Sequence, residues 1–345
     1  MPDIPARRIA LIRTSALGDV VHTLALVNGL RRGYPDAEIT WLIHPLPYQV
    51  VQHQQAVDRF IVFPRGWAGW RLLARQLSRE RFDLLLVPQT SFKSNLVAAL
   101  VHAPVKVGYD LRRSREGHCL FTNHHLPYRR PGHVQDHYLE FLDYLGIPAG
   151  PVDWNLSFTE EELARRNAFF AELGRPAVAL VLASSLPAKD WPPAGHAAVA
   201  EYLVQELDMV PLLVGGPSRR ERELAAAVAA LCPAPVVTAL DGPVRDTLLK
   251  LSGARVVVGP DTGPLHAAVA MGVPTVGLYG YSDPRRCGPY RFTDLVVDHY
   301  TDPGDDPGRP ITRRTKRGRM ATITPEEVIA RIHQALGLPA GPDHL

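Results

Sequence analysis

With 345 residues the chain exceeds what a single hydrophobic core usually organises, so two domains are the starting expectation. An apolar fraction of 46% and a charged fraction of 21% describe an ordinary globular protein, and a net charge of +3 is too small to imply a nucleic-acid partner. No run approaches the roughly 18 apolar residues that span a bilayer, and Cys119, Cys232 and Cys287 are too scattered for a disulfide framework or a zinc site.

The first half alternates short apolar runs with amphipathic stretches. Strands are predicted at 8–13, 38–44, 59–63, 83–89 and 105–109. Between the first two, Val20, Val21, Leu24, Val27 and Leu30 recur at helical spacing, which buries one stripe against a sheet. A second helix is predicted at 91–102. Short strands separated by helices point to a parallel sheet covered on both faces. A polar, proline-containing stretch at 146–154 reads as a linker, and the same grammar then repeats. Strands are predicted at 177–183, 210–215, 236–240, 255–259 and 275–278, with helices at 194–207, 219–231, 244–251 and 264–271.

The expected fold is therefore α/β, with two doubly wound, Rossmann-like parallel-sheet domains, residues 1–150 and 151–323, facing a central cleft. The stretch 300–320, with Pro303, Gly304, Pro307 and Gly308, reads as an exposed loop. Its six lysines and arginines between Arg309 and Arg319 suit either a solvated loop or contact with an anionic surface. A last helix is predicted to begin at Thr324-Pro325-Glu326-Glu327, where threonine caps, proline suits the first turn and the acids suit the dipole. Residues 324–345 are expected to form this helix and a tail that packs back on the first domain.

Four constellations carry chemistry. In Thr14-Ser15-Ala16-Leu17-Gly18-Asp19, Gly18 permits a tight turn and Asp19 stands at a helix start. The turn lacks GxGxxG, which disfavours an oxidoreductase. Asp19 either caps the helix or accepts a proton from an attacking hydroxyl. In Gly259-Pro260-Asp261-Thr262-Gly263-Pro264-Leu265-His266, small residues and exposed helix-start N–H groups suit a diphosphate. Thr262 adds a hydroxyl there, and His266 is either a ligand contact or a structural histidine. In Ser184-Ser185-Leu186-Pro187-Ala188-Lys189-Asp190-Trp191-Pro192, Lys189 is either a solvated loop lysine or the cation that neutralises a leaving phosphate. Gly215-Gly216-Pro217 with Glu221 forms a further strand-to-helix junction, whose carboxylate suits ribose hydroxyls or simply solvent. In the first half, Gln89-Thr90-Ser91-Phe92-Lys93-Ser94 is joined by Arg112, Arg113 and Arg115, cations suited to an acceptor bearing phosphates or carboxylates, or else scattered over the surface.

Together these motifs resemble the ADP-heptose:lipopolysaccharide heptosyltransferases of glycosyltransferase family 9, which have the GT-B architecture. The resemblance runs from Leu17-Gly18-Asp19-Val20-Val21-His22 through Lys189-Asp190-Trp191-Pro192 to Asp261-Thr262-Gly263-Pro264-Leu265-His266 and the late Met320. Gln89-Thr90-Ser91-Phe92-Lys93-Ser94 is similar to the family's Gln-Gly-x-x-Lys-Ser, with Thr90 in place of the glycine, and the arginine-rich stretch lacks the cysteines many relatives carry. The resemblance implies inverting transfer of heptose from ADP-L-glycero-D-manno-heptose to the lipopolysaccharide inner core, without a metal cofactor. It implies catalytic roles for Asp19 and Lys189, and donor contacts by Ser185, Lys189, Gly215, Glu221, Asp261, Thr262, Gly263, Leu265 and His266. The acceptor contacts it implies are Ser15, Lys93, Arg112 and Arg115. The expected place of action is the cytoplasm, with peripheral contact at the inner membrane. A relative using another sugar or glycan, and an inactive glycan-binding protein, are the alternatives.

Overall fold

The computed structural model describes residues 4–148, 150–306 and 308–339; Pro307 and the tail beyond residue 339 lie outside the described residues. The chain divides into two compact units. The first holds residues up to Arg130 together with Val134–Ser157, and the second holds Pro131–His133 and everything from Phe158 onward. The first unit thus runs past the predicted boundary at 150. Trp154 is buried there, its indole N–H donating to Gln135 Oε1 at 2.9 Å, so the expected linker is part of a core.

The first unit follows the order β1 (Arg8–Ile12), α1 (Leu17–Gly33), β2 (Glu38–Ile43), α2 (Pro45–Val51), β3 (Arg59–Val62) and α3 (Trp67–Leu77). It continues with β4 (Leu84–Leu86), α4 (Phe92–Leu100), β5 (Val105–Gly108), β6 (His124–His125) and α5 (Val134–Tyr144). The second runs α6 (Glu160–Leu173), β7 (Ala177–Val181), α7 (Pro193–Gln205), β8 (Val210–Val214), α8 (Arg219–Leu231), β9 (Val237–Ala239) and α9 (Val244–Gly253). It ends with β10 (Val256–Pro260), α10 (Gly263–Ala270), β11 (Thr275–Tyr279), α11 (Pro284–Cys287), β12 (Val296–Asp298) and α12 (Pro325–Leu336).

Each unit carries a six-stranded sheet, ordered β3-β2-β1-β4-β5-β6 and β12-β11-β10-β7-β8-β9. Counted from the first strand of each sheet, the two orders are the same, and the pairings are parallel, as in Ile9 opposite Ile39 and Val257 opposite Thr275. Central strands such as Ala177–Val181 are buried at every residue, as the continuous apolar runs require when helices cover both faces. In this order the chain reverses direction across the sheet beside the first strand. That reversal opens a crevice at the carboxyl ends of β1 and β4 in one unit and of β7 and β10 in the other.

All ten predicted strands are present, most of them shorter than expected. The fourth run leaves the ladder after Leu86 because Gln89 turns to accept from Thr14 N at 2.8 Å. Strands β6 and β12, two and three residues long at the sheet edges, escape a periodicity argument. The start of α12 is as expected: Thr324 Oγ accepts from Glu327 N, Glu327 accepts from Thr324 N at 2.9 Å, and Pro325 opens the helix. Its packing corrects the sequence reading. Val328, Ile329 and Ile332 join the core of the second unit with Val276, Leu278 and Val297, so the helix stays with its own sheet instead of returning to the first domain. Each such burial contributes roughly 1.5–3 kcal/mol, which the polar outer face of the helix has no means to offset.

One ion pair is enclosed in the second unit. Arg245 at the start of α9 donates through Nε to Glu162 Oε1 at 2.8 Å, and lies over the Phe158 ring at 4.7 Å. Glu162 in turn accepts from Thr159 N at 2.9 Å and completes the capping box of α6. With both side chains under 10% exposed, removing the cation strands a buried carboxylate. Arg245→Ala should therefore destabilise the second unit by about 3–5 kcal/mol. Calorimetry of the full chain should show a lower melting temperature for the variant; an unchanged thermogram would refute it.

Candidate active site

The first crevice is built around Asp19. Ala16 occupies the N-cap of α1 and Asp19 the third helical position, where its carboxylate reaches back to Ala16 N at 3.4 Å. Asp19 also forms an ion pair with Arg13 at the end of β1, and accepts from the Tyr138 hydroxyl of α5 at 3.1 Å. Burial pushes the Asp19 carboxyl upward, but the Arg13 guanidinium, then His22, the Tyr138 hydroxyl and the Ala16 amide more than offset this and hold it below its ordinary value. Burial pushes the Tyr138 phenol well above its own ordinary range, so it serves as a neutral donor. The Asp19 side chain nevertheless keeps 36% of its surface exposed. The result is an ionised carboxylate, fixed in orientation and open to a ligand.

Around it, the Gln89 side chain bridges Thr14 N and, through Nε2, Ser91 Oγ at 3.2 Å; Ser91 caps α4. Lys93 is exposed on the first turn of α4, and with Arg65, His44 and Thr14 it lines a small pocket of about 40 Å³. Ser15 is half-buried beside that Thr14. The loop after β5 is tied to the same helix start: the Glu116 carboxylate accepts from Phe92 N, and its carbonyl accepts from Asn95 Nδ2 at 3.0 Å. This keeps exposed Arg115 near the start of α4. Arg112 lies over the Tyr128 ring at 4.8 Å. Arg113 is a structural residue, paired with Asp110 and, at 2.6 Å, with Glu140.

In the second unit the hub is Asp261, at the carboxyl end of β10. Its Oδ2 pairs with Lys189 Nζ at 2.7 Å and accepts from Ser282 Oγ at 2.8 Å, while Oδ1 lies 3.1 Å from His266 Nε2. Burial raises its pKa, but hydrogen bonding and charge from His266, joined by the Lys189 ammonium, hold the carboxyl far below the usual carboxylate range. Thr262 caps α10 through its backbone, with no side-chain cap bond. Of the first helical N–H groups, Pro264 has none and His266 N is taken by Thr262 O at 3.2 Å, which leaves Gly263 and Leu265 to serve an anion. Ser185 is exposed in the same crevice-edge loop as Lys189.

Neighbouring residues of the motifs hold this geometry rather than face a ligand. Asp190 accepts from Ser184 N at 2.8 Å and pairs with Arg220, and Trp191 is buried with its indole N–H on Ile323 O at 3.1 Å. Glu221 is committed to its own turn: it accepts from Gly216 N at 2.7 Å and from the Ser218 hydroxyl. Gly215 permits that approach, since a Cβ there would sit 2.9 Å from the Glu221 carboxylate. Arg13, Tyr138, Arg220 and Ser282 escaped the sequence reading: the last three enter from elements distant in sequence from their partners, and Arg13 read as the last residue of a strand. For Tyr138 a signal existed in the helical spacing of Tyr138, Phe141, Leu142 and Leu145. Among the described residues no group of three or more His, Cys, Asp or Glu side chains is assembled for a metal.

The depressed Asp261 carboxyl has a pH signature. A carboxylate whose folded pKa lies below its unfolded value stabilises fully above the unfolded value near 4, and this is lost as pH falls towards the folded one. Asp261→Asn should lower the melting temperature at neutral pH by a margin that narrows as pH falls below about 4. A margin equal at pH 3 and pH 7 would show that the charge of Asp261 stabilises nothing.

The chain matches glycosyltransferase family 9 (heptosyltransferase) over residues 70–303. It is 30% identical to the lipopolysaccharide core heptosyltransferase OpsX of Haemophilus influenzae, covering 96% of this chain and 97% of that one. It is 29% identical to lipopolysaccharide heptosyltransferase 1 of Pseudomonas aeruginosa, over 89% and 87% of the two chains. Among solved structures, a family 9 glycosyl transferase from Veillonella parvula superposes with a TM-score of 0.82 at 22% identity, covering 97% and 98%. The Escherichia coli heptosyltransferase WaaC with ADP superposes with a TM-score of 0.73 at 23% identity, covering 96% and 98%. With two parallel sheets of like order, each layered by helices and closed by a polar crevice, the chain belongs to glycosyltransferase family 9, the heptosyltransferases of GT-B fold.

Proposed function

We propose that this enzyme transfers heptose from ADP-heptose to a hydroxyl of the lipopolysaccharide inner core with inversion, using Asp19 as the base. The observation that carries the mechanism is the Asp19 carboxylate, kept ionised by Arg13 and Tyr138 yet 36% exposed. Its low pKa makes it a weak base. The attacking hydroxyl, however, becomes acidic only as its bond to the anomeric carbon forms, so a carboxylate in place at that moment is sufficient. The proton passes to Asp19 as the bond from the anomeric carbon to the diphosphate breaks. The departing ADP takes the electron pair, and Lys189 with the Gly263 and Leu265 N–H groups stabilises the charge it gains.

Thr262 and His266 border that turn on the donor side. Ser185 and the Gly215 backbone join them, and Glu221 orders its own turn by accepting from Gly216 N and the Ser218 hydroxyl. Ser15, Lys93, Arg115 and the N–H edge of Arg112 hold the anionic acceptor. Three free thiols suit a cytoplasmic enzyme, and a lipid-anchored acceptor brings it to the inner membrane. Among the described residues no helix is long and apolar enough to cross a membrane.

Asp19→Asn preserves shape and removes the proton acceptor, so kcat should fall by roughly 10²–10⁴ with ADP affinity unchanged. Steady-state kinetics with ADP-heptose and a truncated lipopolysaccharide test this, and a near-normal kcat would remove Asp19 from the chemistry. Lys189→Ala should weaken ADP binding by ~1.5–3 kcal/mol, the usual contribution of a charge-assisted contact. Titration calorimetry reads it directly. If affinity and turnover both survive, Lys189 serves only as the counter-ion of Asp261.

A further inference from the structure

Arg65 and Trp70 line the pocket beside Lys93, but the outer face of helix α3 lies outside that lining and has a composition of its own. Between Arg59 and Glu80 the chain holds no carboxylate and four arginines, Arg65, Arg71, Arg75 and Arg79. Gly69, Leu73 and Leu77 form the buried side of α3, and Trp70 packs partly on the core beneath. At 100° per residue the opposite side carries Trp67, Arg71 and Arg75 in one row, with Arg79 in the turn that follows and Leu72 at the flank. Trp67 is 78% and Leu72 54% exposed, whereas Trp41, Trp154 and Trp191 are at most 2% exposed. In α8, by contrast, the charges interleave, as in the Arg219–Glu223 pair at 2.7 Å. In α3, like charges stand four apart with no acid between them, an arrangement that costs helix stability in water and is relieved beside an anionic surface.

We infer that this face of α3 docks on an anionic phospholipid bilayer, with Trp67 at the headgroup level and Arg71, Arg75 and Arg79 against the lipid phosphates. A basic amphipathic helix with tryptophan at its end lies in the interface plane and anchors by area and charge together. The inference deepens the proposed work at a membrane but stands on α3 itself. It is tested without donor or acceptor, so its failure and that of the transfer reading are distinct results.

The experiment is co-sedimentation of the full chain with vesicles of phosphatidylcholine alone and with 30% (about a third) phosphatidylglycerol, together with tryptophan emission. The wild type should bind the anionic vesicles with a blue shift and leave the neutral ones unbound. Each arginine near such a surface contributes about five-fold in partition, so Arg71→Gln/Arg75→Gln/Arg79→Gln should lose roughly 10²-fold. Trp67→Ser should abolish the blue shift. The melting temperature of both variants, and their turnover on a delipidated, water-soluble acceptor, should match the wild type. Three results would overturn the inference: equal binding to neutral vesicles, undiminished binding by the triple variant, or capture by a soluble polyanion such as heparin with no vesicle binding.

Discussion

A carboxylate drawn wholly or partly out of water must be given cations and donors by the protein, and both crevices are organised by that requirement. Asp261 draws Lys189 from the loop after β7, His266 from α10 and Ser282 from the segment after β11. Asp19 draws Arg13 from β1 and Tyr138 from α5. In each case the acid joins a near neighbour in sequence, Arg13 or His266, to partners that are adjacent only in the fold, Tyr138 in one crevice and Lys189 and Ser282 in the other, so these contacts define the loop positions at the carboxyl ends of the strands. The sheets supply the frame, and the charges fix the loops on it.

The two units share a strand order but not an electrostatic plan. In the first, the turn after β1 places a carboxylate on the opening turn of α1, where the N–H groups of another protein of this layering would receive a phosphate. In the second, the acid precedes the helix and binds its own cations, leaving the N–H groups of Gly263 and Leu265 clear. Four residue positions relative to the helix start thus separate the two acids, one inside the first turn and one ahead of the cap. This difference is the basis of the proposed roles, a proton acceptor in the first unit and an anion-binding turn in the second.

Much of this was legible in the sequence. The strands are apolar on both faces and bounded by Gly, Pro or polar residues, so their number and alternation with helices could be read directly. The motif residues lie at strand ends because small and polar residues cannot continue a buried ladder. What the sequence hid is tertiary. Glu221 looks like an exposed helix acid until Gly216 and Ser218 are seen to occupy it. Arg113 looks like Arg112 and Arg115 until Glu140 claims it. The last helix carries an apolar stripe whose destination no spacing rule specifies, and it lies on its own sheet.

The loop that bears Lys189 is tethered at a point two residues away. Trp191 is clamped between the Ile323 carbonyl and Gly195, where a Cβ would come within 2.4 Å of the indole. Any side chain at 195 must therefore push the ring, and the ring must carry the lysine with it. Ile323 stands directly before the cap of α12, so that helix start is in mechanical contact with the loop of Lys189 at the crevice of the second unit. Drift at positions remote from any ligand, in α7 or ahead of α12, is thus a route by which turnover can change while every crevice residue stays the same.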